Sequence, residues 1–222
     1  MSPSIIDILI RPDAFFRSTV DKKEDLKFPL LIVLAGSLVA AAYGYLISGL
    51  TARMMSSAMP GIETIITLSS VLGALMGTFV FWILWTGVIY VLTIAFKGQG
   101  SFKQVLAVVG YGYLPQIFGS VITLIAAIEY IPRITVPTIT GAGLQDPVVI
   151  QEAMKAFMHD PAMMELTQIT TLITIVFLLW SASIWIFGIK YARNLSPQNA
   201  ALCGGIPVIA YVLYMIYNLG VM

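Results

Sequence analysis

Charge is what this sequence has least of. Only 10% of its 222 residues are Asp, Glu, Lys or Arg, against about 25% in a soluble domain. Hydrophobic residues make up 59% and the mean hydropathy is +0.92, which places the chain in the membrane class. Cysteine and histidine each occur once, as Cys203 and His159. A single cysteine excludes an intrachain disulfide and any CxxC metal or redox site. A single histidine, set in a Met-rich loop, reads as a surface residue rather than a ligand or a base. Basic stripes interleaved with aromatics are missing, so nucleic acid is not an expected partner. Phosphate-loop, dinucleotide, zinc-protease and nucleophile-elbow motifs are missing too. No apolar run holds two carboxylates, and no run interior holds an Asp, Glu, Lys, Arg or His. That argues against membrane-embedded hydrolysis and against a proton-coupled or ion-driven carrier. No cofactor, no metal and no enzyme activity are expected; Glu129 and His159 are the only residues on which an enzyme reading can rest.

What the chain has in abundance is spanning-length apolar sequence. Five runs, at about residues 29–50, 65–96, 104–130, 165–190 and 200–219, predict an all-α polytopic bundle of five helices in the lipid bilayer. The second exceeds the ~20 residues a bilayer needs and is expected to tilt. Residues 1–28 read as a cytoplasmic amphipathic segment, split by Pro12 into a face of Ile5, Ile6 and Leu9 and a face of Phe15, Phe16 and Val20. With Arg11, Arg17, Lys22, Lys23 and Lys27 interleaved, it is expected at headgroup level. Its acidic residues and the full-length run behind it do not fit a signal peptide. Residues 131–164 form the largest excursion. There Asp146-Pro147 starts a short amphipathic helix with Val149, Ile150, Ala153, Met154 and Phe157 on its apolar face, and Asp160-Pro161 repeats the start signal.

Three patterns carry the candidate functional residues. Gly110-Tyr111-Gly112-Tyr113-Leu114-Pro115 opens the third run. Glycine permits close helix approach, and Pro115 removes a donor and clashes with the carbonyl of Tyr111. A kink is predicted, serving as a packing device or as a hinge or recognition surface. Gly73 and Gly77 form a GxxxG match, and Ser37, Ala41, Gly44 and Ser48 form a small-residue stripe; both read as helix-packing faces. Finally, Gln116, Ser120 and Thr123 make one polar stripe, and Thr167, Thr171, Thr174 and Ser181 another. If the two meet, they either glue the helices through dry hydrogen bonds or line a path. Glu129 is expected to pair with Arg133, four residues on.

Orientation follows from basic residues. Alternate segments 1–28, 97–103 and 190–199 hold nine (Arg11, Arg17, Lys22, Lys23, Lys27, Lys97, Lys103, Lys190, Arg193), and the others hold three (Arg53, Arg133, Lys155). The bias predicts a cytoplasmic N-terminus, and five spans then put the C-terminus outside.

The arrangement resembles the YIP1 family of integral membrane proteins. The resemblance rests on Pro12 and Phe15-Phe16, on five spans, and on the loop Lys97-Gly98-Gln99-Gly100-Ser101-Phe102-Lys103 followed by Gly110-Tyr111-Gly112-Tyr113-Leu114-Pro115. It covers roughly residues 12–219. It implies a non-enzymatic membrane protein that self-associates or joins other membrane proteins. Eukaryotic members act in early secretory traffic and bind lipidated small GTPases. This sequence lacks the Asp-Leu-Tyr-Gly-Pro element found there and has only residues 1–28 ahead of its first span; both features argue against GTPase binding. The compact form looks like prokaryotic members, and if the source is prokaryotic the resemblance implies the plasma membrane. The expected role is a scaffold organising membrane proteins or lipids; the alternative is a transporter, channel or lipid-translocating protein using the polar faces of spans three and four.

Overall fold

The structure is a computed structural model that describes residues 5–19, 25–57, 59 and 61–221. Val20, Lys22 and Lys23 of the amphipathic segment lie outside the described residues. Nine α-helices are described: α1 (Ile5–Ile10), α2 (Pro12–Thr19), α3 (Lys27–Met55), α4 (Ile62–Ala95), α5 (Phe102–Gly112), α6 (Leu114–Tyr130), α7 (Pro147–Met158), α8 (Pro161–Ala192) and α9 (Pro197–Val221). Two short 3-10 turns, Ile131–Arg133 and Gly141–Gln145, lie between α6 and α7.

Five stretches are long and apolar enough to cross a membrane: α3, α4, the α5–α6 pair through Arg133, α8, and α9 as far as Gly220. Each begins a few residues before the apolar run that defines it, and in α5 and α8 polar caps account for the extension. Ser101 caps α5 in a capping box with Gln104. The Asp160 carboxylate accepts from the N–H groups of Ala162 and Met163 at 3.0 and 3.1 Å, with Pro161 in the first turn of α8. Asp146 starts α7 in the same way.

The small-residue stripe of α3 does the packing its spacing implies. Ser37, Ala41 and Ser48 are buried, and a Cβ on Gly44 would stand 3.2 Å from the Ser70 carbonyl of α4. Among the spans α8 is the most enclosed, packed by α2, α5, α6 and α9. The main core lies at its C-terminal half, around Val105, Val109, Ile184, Trp185 and Ile189. A second cluster at the other end joins Leu50, Ala127, Ile134, Phe157 and Leu166. Leu38, Met76, Leu84, Ile125, Val176 and Leu213 point outward, as a lipid-facing surface requires. Buried hydroxyls are satisfied within their own helices: Ser37 on the Leu34 carbonyl, Thr86 on Trp82 and Ser181 on Phe177. The Tyr113 hydroxyl and the Trp85 indole nitrogen are the buried side-chain atoms without a partner among the described residues.

The N-terminal helices differ from the expected face. Ile8 is the buried residue of α1, and Ile5 and Ile6 are exposed. Phe15 and Phe16 do bury, with Phe15 edge-on to Tyr111 at 5.4 Å and to Phe16 at 5.2 Å. The helices tuck against the bundle rather than lying free beside it. In the excursion, Phe157 is the buried residue of α7, while Val148, Val149 and Met154 stay exposed. Glu129 pairs with Arg133 at 2.8 Å. His159 is exposed, its ring against the Lys155 carbonyl.

Candidate functional site

The third span is broken at Tyr113. In an unbroken helix the Tyr113 N–H would reach the Val109 carbonyl. Here it turns to Gly110 at 3.2 Å, and the Trp185 indole donates to the Val109 carbonyl at 3.0 Å. Trp82 donates in the same way to Leu106, also at 3.0 Å. The Trp185 indole thus serves the carbonyl that the break frees, the requirement that lipid imposes on a broken helix. The glycines let both tryptophans in. A Cβ on Gly112 would fall inside the Trp185 ring, and one on Gly110 would stand 2.7 Å from Pro29 and 3.2 Å from Trp82. Lower down, one on Gly119 would meet Phe177 at 2.8 Å.

Beneath the break the five spans enclose a half-open cavity of about 330 Å³. Gly36 and Ala40 of α3 and Gly77, Thr78 and Phe81 of α4 line one side. Tyr113, Gln116 and Ser120 face Thr174, Leu178 and Trp185 of α8, with Tyr211 of α9. The two polar stripes therefore meet in part: Gln116 Nε2 donates to Ser181 Oγ at 3.3 Å. Thr123 and Thr171 do not line the cavity. The Thr174 hydroxyl is turned back onto the Thr170 carbonyl at 2.8 Å. Gly73 is exposed, and no heavy atom of another segment stands within 4 Å of a Cβ built on Gly73 or Gly77.

The basic end of the bundle is organised by two charged groups. Arg193 is 2% exposed, and its partners are neutral. Its Nε donates to Thr93 Oγ1 at 3.0 Å and its Nη2 to the Gly98 carbonyl at 2.7 Å; Nη1 donates to the Gly100 carbonyl. The guanidinium lies over the Tyr90 ring at 4.6 Å, and the Gln99 N–H returns a bond to the Arg193 carbonyl at 2.9 Å. The loop 97–101, with Gly100 at φ +108°, is folded around this side chain. Asp13 latches α2 onto α8. Its Oδ1 accepts from Lys190 at 2.9 Å and from the Tyr191 hydroxyl at 2.8 Å, and its Oδ2 from Arg17 at 2.9 Å. Trp180 adds a bond to the Leu9 carbonyl at 3.2 Å.

Hydrogen bonds from Lys190 and Tyr191, aided by the charges of Lys190 and Arg17, hold the Asp13 carboxyl below its ordinary pKa of 3.8. A depressed carboxylate stabilises above the unfolded value and loses that contribution as pH falls through the folded one. The Asp13→Asn variant is therefore expected to melt about 2–4 °C below wild type near neutral pH, with the gap narrowing only as pH falls below the ordinary value of 3.8. Thermal unfolding in mild detergent across that pH range checks it.

With this geometry in place, comparison with known proteins is informative. The sequence pattern of the Yip1 domain matches residues 6–218, from α1 to α9. The chain belongs to the Yip1 family. It is also similar to an uncharacterized protein of Methanocaldococcus jannaschii, 31% identical over 121 residues, a stretch covering 54% of this chain and 86% of that relative. No solved structure matches. Latch, broken span and cavity of this Yip1-family protein all fall inside the matched range. The roles of Asp13, Trp185 and Arg193 escaped the sequence reading, in which Arg193 counted only toward orientation. Each acts on a residue about 70 to 180 positions away, and helical periodicity carries no signal over that separation.

Proposed function

We propose that this Yip1-family, multi-pass membrane protein is a non-enzymatic scaffold, organising copies of itself or other membrane proteins through its lipid-facing helix surfaces. The observation that carries the reading is the contrast among glycines. Gly110, Gly112 and Gly119 are each filled by a neighbour within the chain, whereas Gly73 is exposed and open on α4, and Gly77, which also borders the half-open cavity, has nothing within 4 Å of its Cβ position. Small residues at i and i+4 on an outward face allow a partner helix close approach. The basic end, with Arg17, Lys97, Lys190 and Arg193, faces the cytoplasm in this reading, and in a prokaryotic cell the membrane is the plasma membrane. The hydroxyls of α8, turned onto their own helix, support a dry core rather than a continuous path.

In a Cys203→Ala background, cysteines at Leu72 and Met76, both exposed beside the open face, are expected to form intermolecular cross-links in native membranes. A cysteine at lipid-facing Val176 is not. Adding Gly73→Leu is expected to abolish the cross-links without altering thermal stability, since nothing adjoins that position. Strictly monomeric behaviour, with no adduct at either α4 site, would overturn the reading.

A further inference from the structure

We propose that the cavity below Tyr113 binds an uncharged lipid that carries a carbonyl group. Its size, about 330 Å³, lies at the lower end of small-molecule sites. Its depth restricts the occupant. Tyr113 stands 11 residues inside the stretch that begins at Phe102, about 16 Å of helix rise, which is near the middle of a ~30 Å hydrocarbon core. A phosphate or ammonium headgroup drawn to that depth needs charged partners. The wall offers none: its polar side chains are Thr78, Tyr113, Gln116, Ser120, Thr174, Trp185 and Tyr211, all neutral.

The unmet hydrogen bonds specify the polar group. Tyr113 lines the cavity and is 8% exposed, and its hydroxyl has no partner among the described residues. The Trp85 indole nitrogen is likewise buried and unmatched. Its ring packs on Phe81, Trp185 and Tyr211, three residues of the wall, at 5.5, 5.8 and 6.1 Å. An indole N–H only donates, and Tyr113 has a proton to donate. Trp85 stands behind the wall rather than in it, so the donor a cavity ligand can meet is the Tyr113 hydroxyl, which lacks an acceptor. A carbonyl supplies two lone pairs without charge, and the aromatic wall takes the apolar body beside it. Glycerol esters and isoprenoid quinones are the two common sources of such a group in a membrane.

The test uses the full chain in lipid nanodiscs with a diacylglycerol carrying a photoreactive acyl chain. A phosphatidylcholine with the same chain serves as comparison, and adducts are mapped by mass spectrometry. The diacylglycerol adducts are expected to concentrate on the peptides holding Phe81, Gln116 and Leu178. Tyr113→Phe, which removes one oxygen, is expected to lower them about fivefold, the worth of one ordinary hydrogen bond. Ser120→Leu, which fills the space, is expected to remove them. Displacement by unlabelled diacylglycerol or by an isoprenoid quinone tells the two sources apart. The proposal is overturned if phosphatidylcholine labels the cavity equally, or if adducts spread evenly over outward residues such as Leu38 and Leu213. Unchanged labelling in Tyr113→Phe overturns it too, and decides the matter if Ser120→Leu does not fold. The cross-linking face on α4 is read separately, so either proposal can fail alone.

Discussion

Gly112→Ala is expected to destabilise the protein by more than about 3 kcal/mol, a fall in Tm on the order of 10 °C. The added methyl falls within the ring of Trp185. That ring is 1% exposed and pinned by its bond to the Val109 carbonyl at 3.0 Å. Moving it aside breaks the bond and leaves a carbonyl unsatisfied in a lipid environment, adding about 1–3 kcal/mol to the overpacking cost. Gly205→Ala is the matched control. Nothing lies within 4 Å of its Cβ position, so that change is expected to be neutral or slightly stabilising through helix propensity. The coupling is also testable. In a Trp185→Leu background, Gly112→Ala is expected to cost far less than it does alone, and additive effects would show that Trp185 is not the obstacle.

Arg193→Met is expected to cost about 3–5 kcal/mol, because three acceptors lose a donor at once and each buried unsatisfied group costs about 1–3 kcal/mol. The acceptors are the Thr93 hydroxyl and the carbonyls of Gly98 and Gly100. Arg193→Lys keeps the charge but brings a compact ammonium where a planar fork is needed, so it is expected to recover only part of the loss. A local readout separates this role from general destabilisation. Trypsin cleavage after exposed Lys97 is expected to accelerate in Arg193→Met well below its melting temperature, because the loop loses the side chain it folds around. Cleavage at the wild-type rate would show that the loop holds itself.

The spans were legible because lipid imposes a simple rule, length of apolar sequence, and the break in the third was legible because Pro115 has one physical meaning inside a helix. Helix ends were harder to place. Asp160-Pro161 did announce the start of α8, whereas the Ser101 cap that opens α5 ahead of its apolar run was not read from the sequence. The polar stripes show the limit of periodicity. Spacing identified which faces of α6 and α8 turn inward, and Gln116 does reach Ser181. It did not say how far the two faces stay together, so Thr123 and Thr171 fall off the cavity that Ser120 and Thr174 line. Arg193 looked like any basic residue after a span. Its burial depends on glycines nearly 100 positions earlier, a relation only the folded chain displays.

The latch between α2 and α8 also has a temporal side. Synthesis runs from the N-terminus, so Phe15, Phe16 and Asp13 leave the ribosome long before Lys190 and Tyr191 exist. Until α8 is inserted, the hydrophobic side of α2 has only Tyr111 of α5 to pack against and lacks the partners of Asp13. Closure at Asp13 thus reports that the fourth span has arrived. A chain that stops short of it leaves Phe15 and Phe16 covered by Tyr111 without the α8 wall, the kind of signal by which quality-control proteases recognise an unfinished product.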